Sequence, residues 1–133
     1  MFGADQLIAH AVGDYVLQSD WMAQEKTKRP EVALFHAFVY SLSFICFFDG
    51  MSRRAWLVIF VTHAIIDHFR LARYVVWAKN WIALTRAAPT PPWSECKATG
   101  YPPEKPMWMS VWLLIITDNI MHVIINALAL EYL

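Results

Sequence analysis

Residues 6–18, QLIAHAVGDYVLQ, are the stretch of sequence that decides the fold of this chain. Polar residues recur in it at every fourth position, as Gln6, His10, Asp14 and Gln18, and the positions between them are mostly apolar or small. Side chains four residues apart lie above one another on one face of an α-helix. The spacing therefore predicts a helix with one polar stripe, whose centre is a histidine and an aspartate.

Two later apolar segments carry the same pairing of histidine with aspartate. His63 and Asp67 are four residues apart in one segment, and Asp118 and His122 are four residues apart in another, where Asn126 extends the stripe. These segments are apolar enough to be membrane helices. Ionisable groups are costly inside a membrane and by default mark a functional site there.

The composition indicates a membrane protein rather than a soluble one. The chain has 133 residues, of which 58% are hydrophobic, whereas soluble domains have about 45–50% apolar residues. The formal net charge is zero, so the charge gives no argument for a nucleic-acid partner. We expect one integral-membrane domain over residues 1–133, surrounded by membrane lipid, and the sequence leaves its oligomeric state open.

Four helices are expected, over residues 4–24, 31–48, 53–78 and 107–130, with a loop at residues 89–106. The loop contains six of the seven prolines, and proline blocks the continuation of a helix. The sequence thus predicts an all-α fold, a compact membrane bundle of about four helices with a proline-rich loop before the last one. The first helix could instead lie in the membrane interface.

The basic residues predict an orientation in the membrane, because cytoplasmic loops carry an excess of lysine and arginine. Most of the basic residues lie after the first predicted helix, or in the last part of the third and just beyond it: Lys26, Lys28, Arg29, Arg70, Arg73, Lys79 and Arg86. We expect a multi-pass protein of the inner (cytoplasmic) membrane with these segments in the cytoplasm. Both termini then lie on the non-cytoplasmic side.

The paired residues of three helices can meet at one depth and form a metal site. Asp14 and Asp118 each lie about 15 Å from the predicted cytoplasmic end of their helix, at 1.5 Å per residue. Imidazole and carboxylate together suit Zn²⁺, Mn²⁺ or Fe²⁺, bound as one ion or two. The predicted metal ligands are His10, Asp14, His63, Asp67, Asp118 and His122, and the residues predicted to orient them are Gln18 and Asn126.

A buried metal site in a membrane predicts a hydrolase that acts on a membrane-soluble substrate. Metal-assisted hydrolysis of a lipid or lipid-linked phosphoester fits this location. Asp67 or Asp118 would act as the general base, and His36, alone in its own apolar segment, would protonate the leaving group. Arg70 would hold the phosphate.

Two other interpretations of the paired residues leave the protein without enzymatic activity. The pairs could relay protons or cations through the membrane. They could also be hydrogen bonds and salt bridges that hold the helices, or a partner subunit, together. Metal content and cation flux distinguish these interpretations from the hydrolase, and the sequence alone leaves all three open.

The first helix also carries a motif that resembles a known family. The motif is HxxGDYxxQSDWMA at residues 10–23. Together with His36 and the pair His63 and Asp67, it is similar to a family of small bacterial and phage integral-membrane proteins known only as a domain of unknown function. The resemblance covers the chain up to about Tyr74 and again the last helix. It implies a compact helical membrane protein and no particular activity.

Overall fold

The structure is a computed structural model that describes residues 3–83 and 89–133. All regular structure within these ranges is helical, which confirms the predicted all-α fold. In chain order the elements are α1 (Ala4–Ala11), a π-helix (Val12–Val16), α2 (Asp20–Glu25), α3 (Pro30–Phe47), α4 (Arg53–Phe69), α5 (Ala72–Ile82), α6 (Trp93–Cys96) and α7 (Met107–Tyr132).

The first predicted helix, residues 4–24, is divided into three parts in the structure. After α1 the backbone widens into the π-helix, where the N–H of Leu17 donates to the carbonyl of Val12, five residues earlier, at 2.9 Å. Short π-helical turns are uncommon and occur frequently at functional sites. The π-helix contains Asp14. The polar stripe therefore follows the regular four-residue spacing of an α-helix only within α1.

The chain leaves the helical conformation at Ser19, which is where the predicted continuous helix is wrong. Ser19 is extended, and its hydroxyl accepts a hydrogen bond from the N–H of Met22 at 3.3 Å, so it caps the start of α2. Gln18 precedes this cap and lies outside any helix. The predicted stripe therefore does not reach Gln18 as one face of one helix.

The third predicted helix, residues 53–78, is two helices. α4 ends at Phe69 because Arg70 adopts a left-handed backbone conformation, with φ of 52°, that an α-helix cannot contain. The chain then resumes as α5 and continues to Ile82. The predicted loop at residues 89–106 likewise contains a one-turn helix, α6.

The chain forms two compact units, and α7 contributes to both. The first unit comprises the chain up to Phe69 together with His122–Leu133. Its apolar core is made by residues of α1, α3, α4 and the end of α7: Ala9, Tyr40, Phe44, Ala55, Ile59 and Ala129. The second unit comprises Arg70–Met121.

The second unit is organised by the attachment of the proline-rich segment to α5. Arg70 donates to the carbonyl of Ala98 at 2.9 Å, and Arg73 donates to that of Lys97 at 3.0 Å. Gly100 has φ of 82°, which favours glycine. The segment at residues 89–106 is therefore an ordered part of this unit.

Within residues 3–83 and 89–133, two helices, α3 and α7, are long and apolar enough to cross a membrane. A third crossing arises only if α4 and α5 are counted together as one broken span. Large apolar side chains of α3 are about half exposed, among them Leu34, Phe35 and Ile45, while the polar side chain of His36 is fully buried. This inversion of the soluble pattern is consistent with membrane association.

Candidate metal centre

Four ionisable side chains converge in the interior of the first unit. Asp14 comes from the π-helix, His36 from α3, and His63 and Asp67 from successive turns of α4. Each residue is at most 8% exposed. The convergence requires three separate segments of chain, so no single helical stripe defines it.

The four converging atoms are mutually close. Nε2 of His36 lies 3.2 Å from Oδ1 of Asp14 and 3.3 Å from Oδ2 of Asp67. Nε2 of His63 lies 3.3 Å and 3.2 Å from the same two oxygens. The two Nε2 atoms are 3.0 Å apart. We call these four atoms the tetrad.

The spacing of the tetrad matches the coordination shell of a small metal ion. A tetrahedral ion with bonds of about 2.0–2.1 Å to nitrogen and oxygen has ligand atoms about 3.3–3.4 Å apart. Hydrogen bonding alone does not account for the contacts, because a ring nitrogen carries at most one hydrogen. Nε2 of His63 has three tetrad partners within 3.3 Å. The donor set and the spacing therefore fit a divalent transition metal.

A second histidine faces the remaining oxygen of each tetrad carboxylate. Nε2 of His122 lies 3.2 Å from Oδ1 of Asp67. Nδ1 of His10 lies 3.7 Å from Oδ2 of Asp14. Groups that hold metal-ligating side chains in this way fix their orientation. His10 and His122, predicted as ligands, occupy this supporting position with respect to the tetrad.

Tyr40 connects the supporting residues to the tetrad. Its hydroxyl accepts a hydrogen bond from Nδ2 of Asn126 at 2.6 Å and lies 2.8 Å from Nδ1 of His10. Its ring stacks on that of His63, with centroids 3.6 Å apart. Gly13 makes room for the ring, since a Cβ there would lie 2.5 Å from a ring carbon of Tyr40.

Lys26 is the cation beside the tetrad. Its ammonium lies 2.7 Å from Oδ2 of Asp67 and 3.3 Å from Nε2 of His36. The Lys26 carbonyl is fixed as well, since it accepts a hydrogen bond from Nδ1 of His68 at 2.9 Å. The side chain of Lys26 is 17% exposed, more than any tetrad side chain. Lys26 is therefore closer to solvent than the carboxylate of Asp67 that it contacts.

Sequence reasoning missed two of these residues and gave a third another role. In the sequence Tyr40 is one of several aromatic residues in an apolar run, and only its position one helical turn after His36 points to the site. Lys26 was counted only as a topology signal. His36 was predicted to protonate a leaving group, whereas the structure places its Nε2 in the tetrad.

The remaining predicted site residues lie outside the tetrad. Gln18 is partly buried in the first unit. Asp118 is partly buried on α7, one turn before His122, and belongs to the second unit. Arg70 also belongs to the second unit, where its guanidinium donates to the Ala98 carbonyl.

Cys96 is the buried thiol of the second unit. Burial raises its pKa, and the nearby carboxylates of Glu95 and Glu104 raise that pKa further. A raised pKa keeps the thiol protonated and unreactive near neutral pH. Cys96 is therefore a poor candidate for a nucleophile or a metal ligand.

These features define a class: an all-helical protein whose described part has two helices able to cross a membrane and a buried His/Asp cluster that could hold a metal ion. The chain belongs to the family described as Protein of unknown function (DUF3307), which matches residues 4–133. This match confirms the expected membership in a domain family of unknown function. No curated protein and no solved structure gives a significant match.

Proposed function

We propose that this protein is a membrane-embedded, metal-dependent hydrolase whose ion is bound by the tetrad. The single observation that carries the proposal is the convergence of two imidazole nitrogens and two carboxylate oxygens at 3.0–3.3 Å. The donor set favours Zn²⁺, Mn²⁺ or Fe²⁺ over Ca²⁺, which prefers oxygen ligands alone. One ion accounts for the tetrad.

The charge of the tetrad suits a membrane interior. Asp14 and Asp67 are buried carboxylates, and two such charges without compensation are costly. A divalent ion would neutralise both charges. His122 and His10 would then hold the outer carboxylate oxygens, and Tyr40 would fix the ring of His63 by stacking.

The proposed reaction is hydrolysis of a phosphoester on a lipid or lipid-linked carrier. A bound ion would lower the pKa of a water molecule and polarise the phosphoryl group. The oxygen of that water bonds to phosphorus, the ester P–O bond breaks, and the released alcohol takes a proton. The substrate class rests on location, because the tetrad is buried and α3, which contributes His36 to it, exposes large apolar side chains.

The direct test is metal content followed by activity. Purified protein in mild detergent, never exposed to chelator, should contain one transition-metal ion per chain by elemental analysis. Asp14→Asn should lose that ion, and Asp20→Asn, at the exposed start of α2, should keep it. The metal-loaded wild type should release phosphate from a panel of lipid phosphates. Wild-type protein without stoichiometric metal would overturn the metal centre, and a loaded but inactive protein would overturn the hydrolase.

A cation pathway is the second candidate, and one observation favours it. Buried polar groups continue from the tetrad through His10 and Tyr40 to Asn126 and Gln6. Gln6 also lines a pocket at the start of α1, near the turn between α3 and α4. Such a row of polar groups is what a narrow conduction path needs. If the protein is a pathway, liposomes that contain it should be permeable to divalent cations or protons. If it is a hydrolase, the liposomes should stay impermeable to them.

A further inference from the structure

We propose that the ammonium of Lys26 and the metal ion are alternative cations for the same carboxylate, so that metal binding expels the Lys26 side chain from the tetrad. The inference rests on the proposed metal centre. It assigns to Lys26 the role of a competitor that lowers the affinity of the tetrad for a metal ion. No role in metal binding follows for Lys26 from its sequence position alone.

The first step is that Lys26 already contacts two of the four proposed ligand atoms. Its ammonium is 2.7 Å from Oδ2 of Asp67, which is the distance of a direct charged hydrogen bond. It is also 3.3 Å from Nε2 of His36. In this arrangement the lysine supplies positive charge where the ion would supply it.

The second step is that the ion and the ammonium cannot keep these contacts together. An ion bound to Oδ2 of Asp67 lies about 2.0 Å from that oxygen and therefore within about 5 Å of the ammonium. A divalent ion and an ammonium repel strongly at that distance in a buried site. The lone pair of His36 Nε2, once it binds the ion, is also no longer free to accept from Lys26.

The third step is that Lys26 can leave without unfolding its surroundings. Its carbonyl is held by Nδ1 of His68, so the backbone stays in place while the side chain moves. Its side chain is 17% exposed, whereas that of Asp67 is 3% exposed. A lysine has a long flexible stem and readily carries its charge to a surface.

Amine labelling of the wild-type protein tests the exchange directly. An acylating reagent is applied to the full chain in detergent with and without Zn²⁺, and modification of each lysine is measured by mass spectrometry. Lys26 should become at least about tenfold more reactive when the ion binds, since it loses its partner Asp67. Lys28, which is 65% exposed and pairs with Glu25 on the surface, is the internal control and should not respond.

Metal affinity provides an independent measurement on variants. Lys26→Met should bind Zn²⁺ at least about tenfold more tightly than wild type, because the competing charge is gone. Lys26→Arg should bind no more tightly than wild type, and Lys28→Met should match wild type. The metal-free Lys26→Met protein should melt at a lower temperature than wild type, since Asp67 loses its partner.

The outcomes separate this inference from the proposed function. If wild type binds no metal, the metal centre itself fails. If wild type binds metal but Lys26 stays protected from labelling and Lys26→Met binds no more tightly, the exchange is overturned and the metal centre stands. The labelling result decides the question even if Lys26→Met does not fold.

Discussion

The two units of the molecule use their polar side chains in opposite ways. In the first unit, the tetrad residues are buried and point at one another. In the second unit, Arg70, Arg73 and Trp77 donate to main-chain carbonyls of the segment at residues 89–106. These three side chains of the second unit have hydrogen-bond acceptors in the protein, and their hydrogen bonds attach the segment at residues 89–106 to the residues from Arg70 to Trp77. The tetrad atoms of the first unit can donate more electron pairs than there are N–H hydrogens to accept them. This excess of acceptor atoms indicates a site for a metal ion.

The largest expected effect comes from removing one charge of the tetrad. Asp67→Asn keeps the shape of the side chain but replaces a carboxylate that contacts His36, His63 and Lys26. We expect metal affinity to fall by about 100-fold or more, since a neutral amide is a far weaker ligand than a carboxylate. Equilibrium dialysis with elemental analysis measures this. If Asp67→Asn retained one ion per chain, the tetrad would not be the metal site, and the first unit would not differ from the second in this respect.

Two glycines provide a matched pair, one in each unit. A Cβ at Gly13 would lie 2.5 Å from Tyr40, and one at Gly100 would lie 2.3 Å from the carbonyl oxygen of Arg73. Each substitution by alanine should lower the free energy of unfolding by about 1–3 kcal/mol.

Only Gly13→Ala should also weaken metal binding, because it displaces the ring that stacks on His63. Denaturant unfolding and metal titration on both variants provide the comparison. Equal losses of metal affinity in the two variants would contradict the assignment of the site to the first unit.

Tyr40→Phe removes one hydroxyl and keeps the ring. The hydroxyl accepts a hydrogen bond from the buried amide of Asn126, so its loss should cost about 1–2 kcal/mol of stability. Metal affinity should change less than in Gly13→Ala, since the stacking on His63 remains. A larger loss of affinity in Tyr40→Phe than in Gly13→Ala would show that the hydroxyl, rather than the ring position, supports the tetrad.

The smallest effect is expected at Arg70, where α4 ends. Arg70→Ala and Arg70→Gly both lose the hydrogen bond to Ala98, but only glycine adopts a positive φ without cost. The glycine variant should therefore be more stable than the alanine variant by about 1 kcal/mol. Thermal unfolding compares them, and equal stability would mean that the left-handed turn is not retained. Neither variant should alter metal binding.

Spacing rules predicted the local part of the site. The four-residue separation of His63 and Asp67 on α4 is enough to put both side chains on one face, and the structure brings both into the tetrad. Pro30 lies in the first turn of α3, where its missing N–H removes no hydrogen bond of the helix.

The rest of the site depends on features that a sequence pattern does not express. The helix ends before Arg70 without a proline or a glycine at that position, so no residue type in the sequence predicts this end. The approach of Lys26 to Asp67 joins residues 41 positions apart and depends on how α2 folds back. Tyr40 looks like any other aromatic residue in an apolar helix until its hydroxyl is located. Each of these follows from tertiary contacts, which override local preference.

Because of the π-helix at Val12–Val16, the arrangement of side chains here depends on the number of residues in this segment more than on how apolar they are. One residue more or less in such a turn is absorbed by switching between five-residue and four-residue hydrogen bonding, with little strain. A residue removed between His10 and Asp14 nevertheless changes the relative position of these two side chains around the helix by about 100°. A single-codon deletion here would leave the hydropathy profile nearly unchanged while turning His10 away from Asp14.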